Sequence, residues 1–192
     1  MKKLLVGALA ACMVMNGAVA FAGETEANVT ELNWEDIEAI NDASDEDILG
    51  QGSFVCFDEI DLMMWVPDAM PEVELSEEDT ENGYIGYFQA EDESAAASVM
   101  YVDVNGLDLE GYKEELENTD GVENVEYVRI NGAPGISYDM PDDDTTCLAF
   151  TTEAGYVLEF AFKPLSDENY QAIIAFMAAS IQPEDTSLET EA

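Results

Sequence analysis

Forty-four aspartates and glutamates stand against five lysines and arginines in this chain of 192 residues, and histidine does not occur. Without histidine there is no Ser-His-Asp or Cys-His catalysis, no histidine-ligated zinc, and no ordinary general base at neutral pH. Cysteine occurs three times, at Cys12, Cys56 and Cys147, too few for a four-cysteine zinc site. No phosphate loop, no dinucleotide-binding glycine pattern and no nucleophile elbow is present, and the stretch Asn131-Gly132-Ala133-Pro134-Gly135 reads as a turn. No cofactor is expected.

Carboxylate chemistry is what remains. A small carboxylate hydrolase would need one acid with a raised pKa opposite a second acid acting as base or nucleophile. In so acidic a chain, close pairs arise by chance and carry little information. Calcium is the second reading. Asp142-Asp143-Asp144, Asp45-Glu46-Asp47 and Glu77-Glu78-Asp79 are hard oxygen donors of the right kind. None of them fits the EF-hand loop, since the glycine and the later bidentate glutamate that should follow Asp45 and Asp47 are missing. Against both stands the plain alternative that charge runs in loops are solvated.

The formal net charge of −39 excludes more than it assigns. Phosphate binding needs clustered basic residues, so nucleic acid is not a partner, and an anionic membrane surface repels the chain. A cationic partner or a divalent ion would be attracted, more weakly as salt rises. The same charge keeps a protein soluble and points to a monomer.

The N-terminal segment 1–22 reads as a signal peptide. Lys2 and Lys3 precede an apolar run from Leu4, and Ala20-Phe21-Ala22 offers a small-x-small cleavage site, with cleavage expected after Ala22. Two other readings stay open: Leu9-Ala10-Ala11-Cys12 resembles a lipobox, which would make Cys12 a lipidated terminus, and the run could stay uncleaved as a weak membrane anchor. All three place the remainder outside the cytoplasm, secreted or at the cell surface. In an oxidising exterior Cys56 and Cys147 suggest a disulfide, with two buried thiols as the alternative.

Stepping from residues to elements, segment 23–52 reads as an acidic leader. It holds one short amphipathic helix in which Trp34, Ile37 and Ile40 recur behind Asn33 as N-cap. A single α+β domain is expected over 53–182, followed by a polar tail over 183–192. Strands are expected at 54–57, 60–66, 84–90, 98–104, 125–130, 136–140, 146–152 and 156–162, and residues 68–83 read as an acidic loop. Asn131-Gly132 is the strongest hairpin signal. Tyr156, Leu158, Phe160 and Phe162 alternate with Glu159 and Lys163, the period of a half-buried antiparallel strand. Asp108 caps a helix lined by Leu109, Tyr112 and Leu116, and Ser166 is read as the cap of a last helix carrying Tyr170, Ile173, Ile174, Met177 and Ile181. Consecutive strands between helices imply a single antiparallel sheet of about six to seven strands with helices packed against it.

That order, with the opening hairpin running through Ile60-Asp61-Leu62-Met63-Met64-Trp65-Val66 into Pro67, the hairpin on Asn131-Gly132 and the closing strand plus helix, resembles the Mog1/PsbP-like fold. The resemblance covers residues 53–182. It implies a non-catalytic protein that binds partners in larger assemblies, and it transfers no functional residue. The leading expectation is therefore an exported, acidic, non-enzymatic interaction or accessory module with an unknown protein or cationic partner. The calcium-binding surface protein is the alternative, and the small carboxylate hydrolase a second one. The candidate contact patch is Met63 and Trp65, which alternate away from Leu62 and Met64 and would be exposed if one face of that strand meets solvent.

Overall fold

A computed structural model describes residues 29–43, 47–152 and 155–184. The segment read as a signal peptide, the start of the leader and the last eight residues lie outside them. Among the described residues no helix is long and apolar enough to cross a membrane.

Among the described residues, ten strands and four helices follow one another: β1 (Thr30–Leu32), α1 (Trp34–Ala43), β2 (Gly52–Phe57), β3 (Leu62–Pro67), α2 (Glu77–Glu81), β4 (Tyr84–Gln89), β5 (Ala96–Asp103), α3 (Leu109–Glu117), β6 (Glu123–Ile130), β7 (Ala133–Met140), β8 (Thr145–Thr151), β9 (Tyr156–Lys163), α4 (Glu168–Ala179) and β10 (Gln182–Pro183). The class is α+β. Seven strands form one sheet in the order β1-β6-β7-β8-β9-β5-β4, antiparallel except for the parallel pair of β1 with β6.

The hairpin of β2 and β3, expected in the main sheet, instead builds a second, three-stranded sheet with β10. Its sequence gives the reason. The stretch Leu62–Pro67 contains no polar residue, so both faces of β3 need cover, and Met64, Trp65 and Val66 are all buried. One main-sheet edge is also occupied, because Val73 N–H donates to the Tyr87 carbonyl and Gln89 N–H to that of Pro71 along β4.

The main sheet is covered on both faces. On one, Val99, Leu148, Leu158, Phe160 and Phe162 pack with the small sheet, α1 and α4 in the principal core. On the other, Ile136, Tyr138, Cys147, Ala149 and Val157 pack under Leu116 of α3. β9 is thus a central strand buried on both sides, and the clean alternation read from Tyr156 to Lys163 marks only which core each side chain enters.

Local signals hold where the chemistry is local. The Asp108 carboxylate accepts the Gly111 N–H at 2.9 Å and caps α3. Asn131 and Gly132 both take positive φ, 49° and 82°, which a two-residue hairpin turn requires. The helix at Trp34–Ala43 forms as expected, yet it belongs to the fold: Ile37 is buried in the principal core and Thr30–Leu32 extends the main sheet. At the other end, Pro183 pairs with Leu62 in the small sheet. The acidic loop holds a short helix, α2, closed by a capping box between Ser76 and Asp79. Ser166 does not cap α4. Its N–H and hydroxyl donate to the Asp144 carboxylate at 2.8 and 2.9 Å, and the Asp167 carbonyl receives the N–H groups of Tyr170 and Gln171.

Candidate functional site

The two sheets meet along their core faces and part at one end, leaving a groove of about 530 Å³. The turn before β3 and the strand β10 form one wall; the ends of β5 to β9 form the other. Its floor is apolar, with Ile60, Leu62, Tyr101, Phe150, Leu158 and Ile181. Glu59 and Asp61 stand at the rim, both exposed, and among the described residues no lysine or arginine lines it. The groove is partly open to solvent.

Each wall is fixed by local chemistry. Asp61 sits at φ 51°, closing the turn that delivers Leu62, and its carbonyl accepts the Glu184 N–H at 3.0 Å. Tyr101 stacks on Tyr156 with ring centroids 4.8 Å apart, and Phe150 meets Phe160 edge to face. Asn131, at the corner, ties three segments together. Its amide nitrogen donates to the carbonyls of Ala179 and Ile181 at 2.7 and 2.8 Å, its amide oxygen accepts the Trp34 N–H at 2.7 Å, and its backbone N–H donates to the Leu32 carbonyl. The same residue makes the hairpin turn and docks the chain leaving α4 against the start of α1.

The residues singled out from the sequence fall elsewhere. Trp65 is only 2% exposed, so the Met63–Trp65 patch does not form. The Trp65 backbone N–H donates to Ser180 Oγ at 2.7 Å and its indole N–H to the Leu49 carbonyl at 3.1 Å, while the ring packs against Phe176. Met63 is half-buried beside Cys56, its cross-strand partner. Alternation separated the two faces of this strand correctly, but α4 covers the face that was read as open.

No disulfide joins Cys56 to Cys147. Cys147 is buried under α3 on β8 of the main sheet, whereas Cys56 is exposed on the small sheet, so the pair cannot meet without unfolding. One carboxylate of each acidic cluster makes structural contacts. Asp144 receives Ser166, Asp79 receives Ser76, and Asp47 accepts the Gly50 N–H and the Asn41 amide. These bonds hold Asp79 and Asp47 below the usual carboxylate range, through Ser76 in the first case and chiefly the Gly50 N–H in the second. Asp45 and Glu46 lie outside the described residues. Among the described residues, no three Cys, Asp or Glu side chains come together to hold a metal ion.

A second polar constellation escaped the sequence reading. Glu159, expected to face water, lies half-buried under α3 and accepts the hydroxyls of Tyr138 at 2.5 Å and Tyr112 at 3.3 Å. Burial first, and the Glu159 charge second, push both phenols well above their usual range and lift the Cys147 thiol to about 12. All three are protonated at neutral pH, so none is a nucleophile or a base there, and the two tyrosine hydroxyls satisfy a carboxylate inside a packed layer.

No known family model matches the chain, and no curated protein matches it in sequence. Solved structures do match in shape. The cyanobacterial PsbP, CyanoP, of Synechocystis sp. PCC 6803 is 11% identical, with 69% of this chain and 92% of that one aligned at a TM-score of 0.50. The Ran-binding protein Mog1p of Saccharomyces cerevisiae is 14% identical, with 71% and 97% aligned at 0.42. The strand order, the flanking helices and this likeness give the chain a Mog1/PsbP-like fold.

Proposed function

We propose that this chain is an exported, non-enzymatic interaction module that receives a protein partner in the groove between its two sheets. The observation that carries the reading is the apolar lining of that groove, where Ile60, Leu62, Tyr101 and Phe150 gather from separate strands and stay only partly buried. Uncovered apolar surface rimmed by polar groups is the usual mark of a contact site. The N-terminal sequence supports export.

The catalytic and calcium readings draw less support. At the groove the two acids are exposed and follow each other on one turn, not facing across a cleft with one of them desolvated. The acidic runs supply helix caps and turn contacts.

A photo-crosslinking residue placed at Thr152, in the full chain expressed in its own cell, tests the proposal. A discrete protein adduct is expected, and filling the groove with Ala133→Trp should remove it. An adduct equally strong in the Ala133→Trp protein, or none at all, would overturn the groove as the contact surface.

A further inference from the structure

Building on the groove as contact surface, we infer that its occupant is a peptide segment pairing an apolar side chain with an adjacent lysine or arginine. The floor asks for the first and the rim for the second. Glu59 and Asp61 carry charge at the edge of an apolar surface, and among the described residues neither side chain makes a hydrogen bond or ion pair. Arg129, on the neighbouring hairpin, is turned to the Gly132 carbonyl. A cation at the rim therefore has two acids to meet and no protein cation to compete with locally.

The backbone around the groove excludes recognition by strand addition. β10 is the outer strand of the small sheet on this side, but Pro183 has no N–H, and the Ile181 carbonyl is already taken by Asn131. The occupant is thus held by its side chains. The groove is partly open, so a bound segment can keep one flank in water and continue on either side. A second copy of this chain is disfavoured by its own charge.

Calorimetric titration of the full chain with three synthetic hexapeptides, alternating Leu-Lys, Leu-Glu and Ser-Lys, tests this. Binding is expected for the Leu-Lys peptide alone. The double variant Glu59→Gln/Asp61→Asn should weaken it about five- to tenfold, as loss of two exposed charge contacts implies. Neutralising Glu110 and Glu114, exposed on α3 beyond the opposite sheet face, should weaken it less than twofold, so that a merely polyanionic attraction would be seen as equal loss in both variants and would sink the inference. Equal binding of Leu-Glu would overturn the cationic half and leave the groove standing. Unchanged binding to Ala133→Trp, its fold checked by circular dichroism, would overturn inference and proposed function together. No binding by any peptide would overturn the inference alone, since the Thr152 crosslink still decides whether the groove is used.

Discussion

Glu159 shows how one residue can be read correctly for direction and wrongly for environment. Alternation along β9 put it opposite Leu158 and Phe160, and it is; but α3 lies over that face, so the carboxylate is met by two tyrosine hydroxyls and a thiol environment instead of water. The arrangement has a pH signature. In the unfolded chain Cys147 titrates near 9.0 and the tyrosines near 10.0, while in the fold all three are raised. Above pH 9 the unfolded state therefore releases protons that the folded state keeps, and stability must fall as pH rises from 9 toward 12. Urea melts should show a stability loss across that window. Tyr138→Phe should make the fall shallower while costing about 1–2 kcal/mol at neutral pH, through one lost hydrogen bond to a carboxylate. A stability that stays level to pH 11 would mean these groups are not buried in solution.

At the scale of elements, one asparagine coordinates what the strand pattern alone could not. The β6–β7 turn was legible because left-handed backbone at both central positions demands Asn-Gly or a near equivalent. That the same Asn131 also joins β1, α1 and the exit of α4 was not, because its partners are 48 to 99 residues away. Asn131→Gly keeps the backbone conformation and deletes only the side-chain bonds. It should cost about 1.5–3 kcal/mol in denaturant unfolding, the sum of three ordinary hydrogen bonds. It should also raise hydrogen exchange at Trp34, whose N–H loses its acceptor, more than at Phe160 in the main sheet. Equal protection at Trp34 in both proteins would show that α1 is held by packing of Ile37 alone.

For the whole molecule, charge sets the behaviour. With 44 acids against five basic residues, screening removes far more repulsion than attraction. Raising sodium chloride from about 0.02 to 0.3 M, which shortens the Debye length severalfold, should raise the melting temperature by a few degrees. A melting temperature that is flat or falls over that range would remove repulsion as the leading surface effect. The same surface explains why the acidic runs do not define a site. Single carboxylates such as Asp79 and Asp144 are taken up by Ser76 and Ser166, while their neighbours Glu77, Glu78, Asp142 and Asp143 are exposed.

Period, turn chemistry and capping are written within a few residues, and so three of the four described helices, most strands, the Asn-Gly hairpin and the α+β class could be read directly from the chain. Which faces are covered is a different kind of fact. Trp65 is buried because α4 and the residue after it, over a hundred residues later, supply Phe176 and Ser180; Cys147 and Cys56 are parted because their strands enter different sheets. The groove has the same origin, as its floor gathers side chains from separate strands that approach one another only when the small sheet docks on the large one. Local sequence sets the direction of a side chain, but only long-range packing decides what it meets.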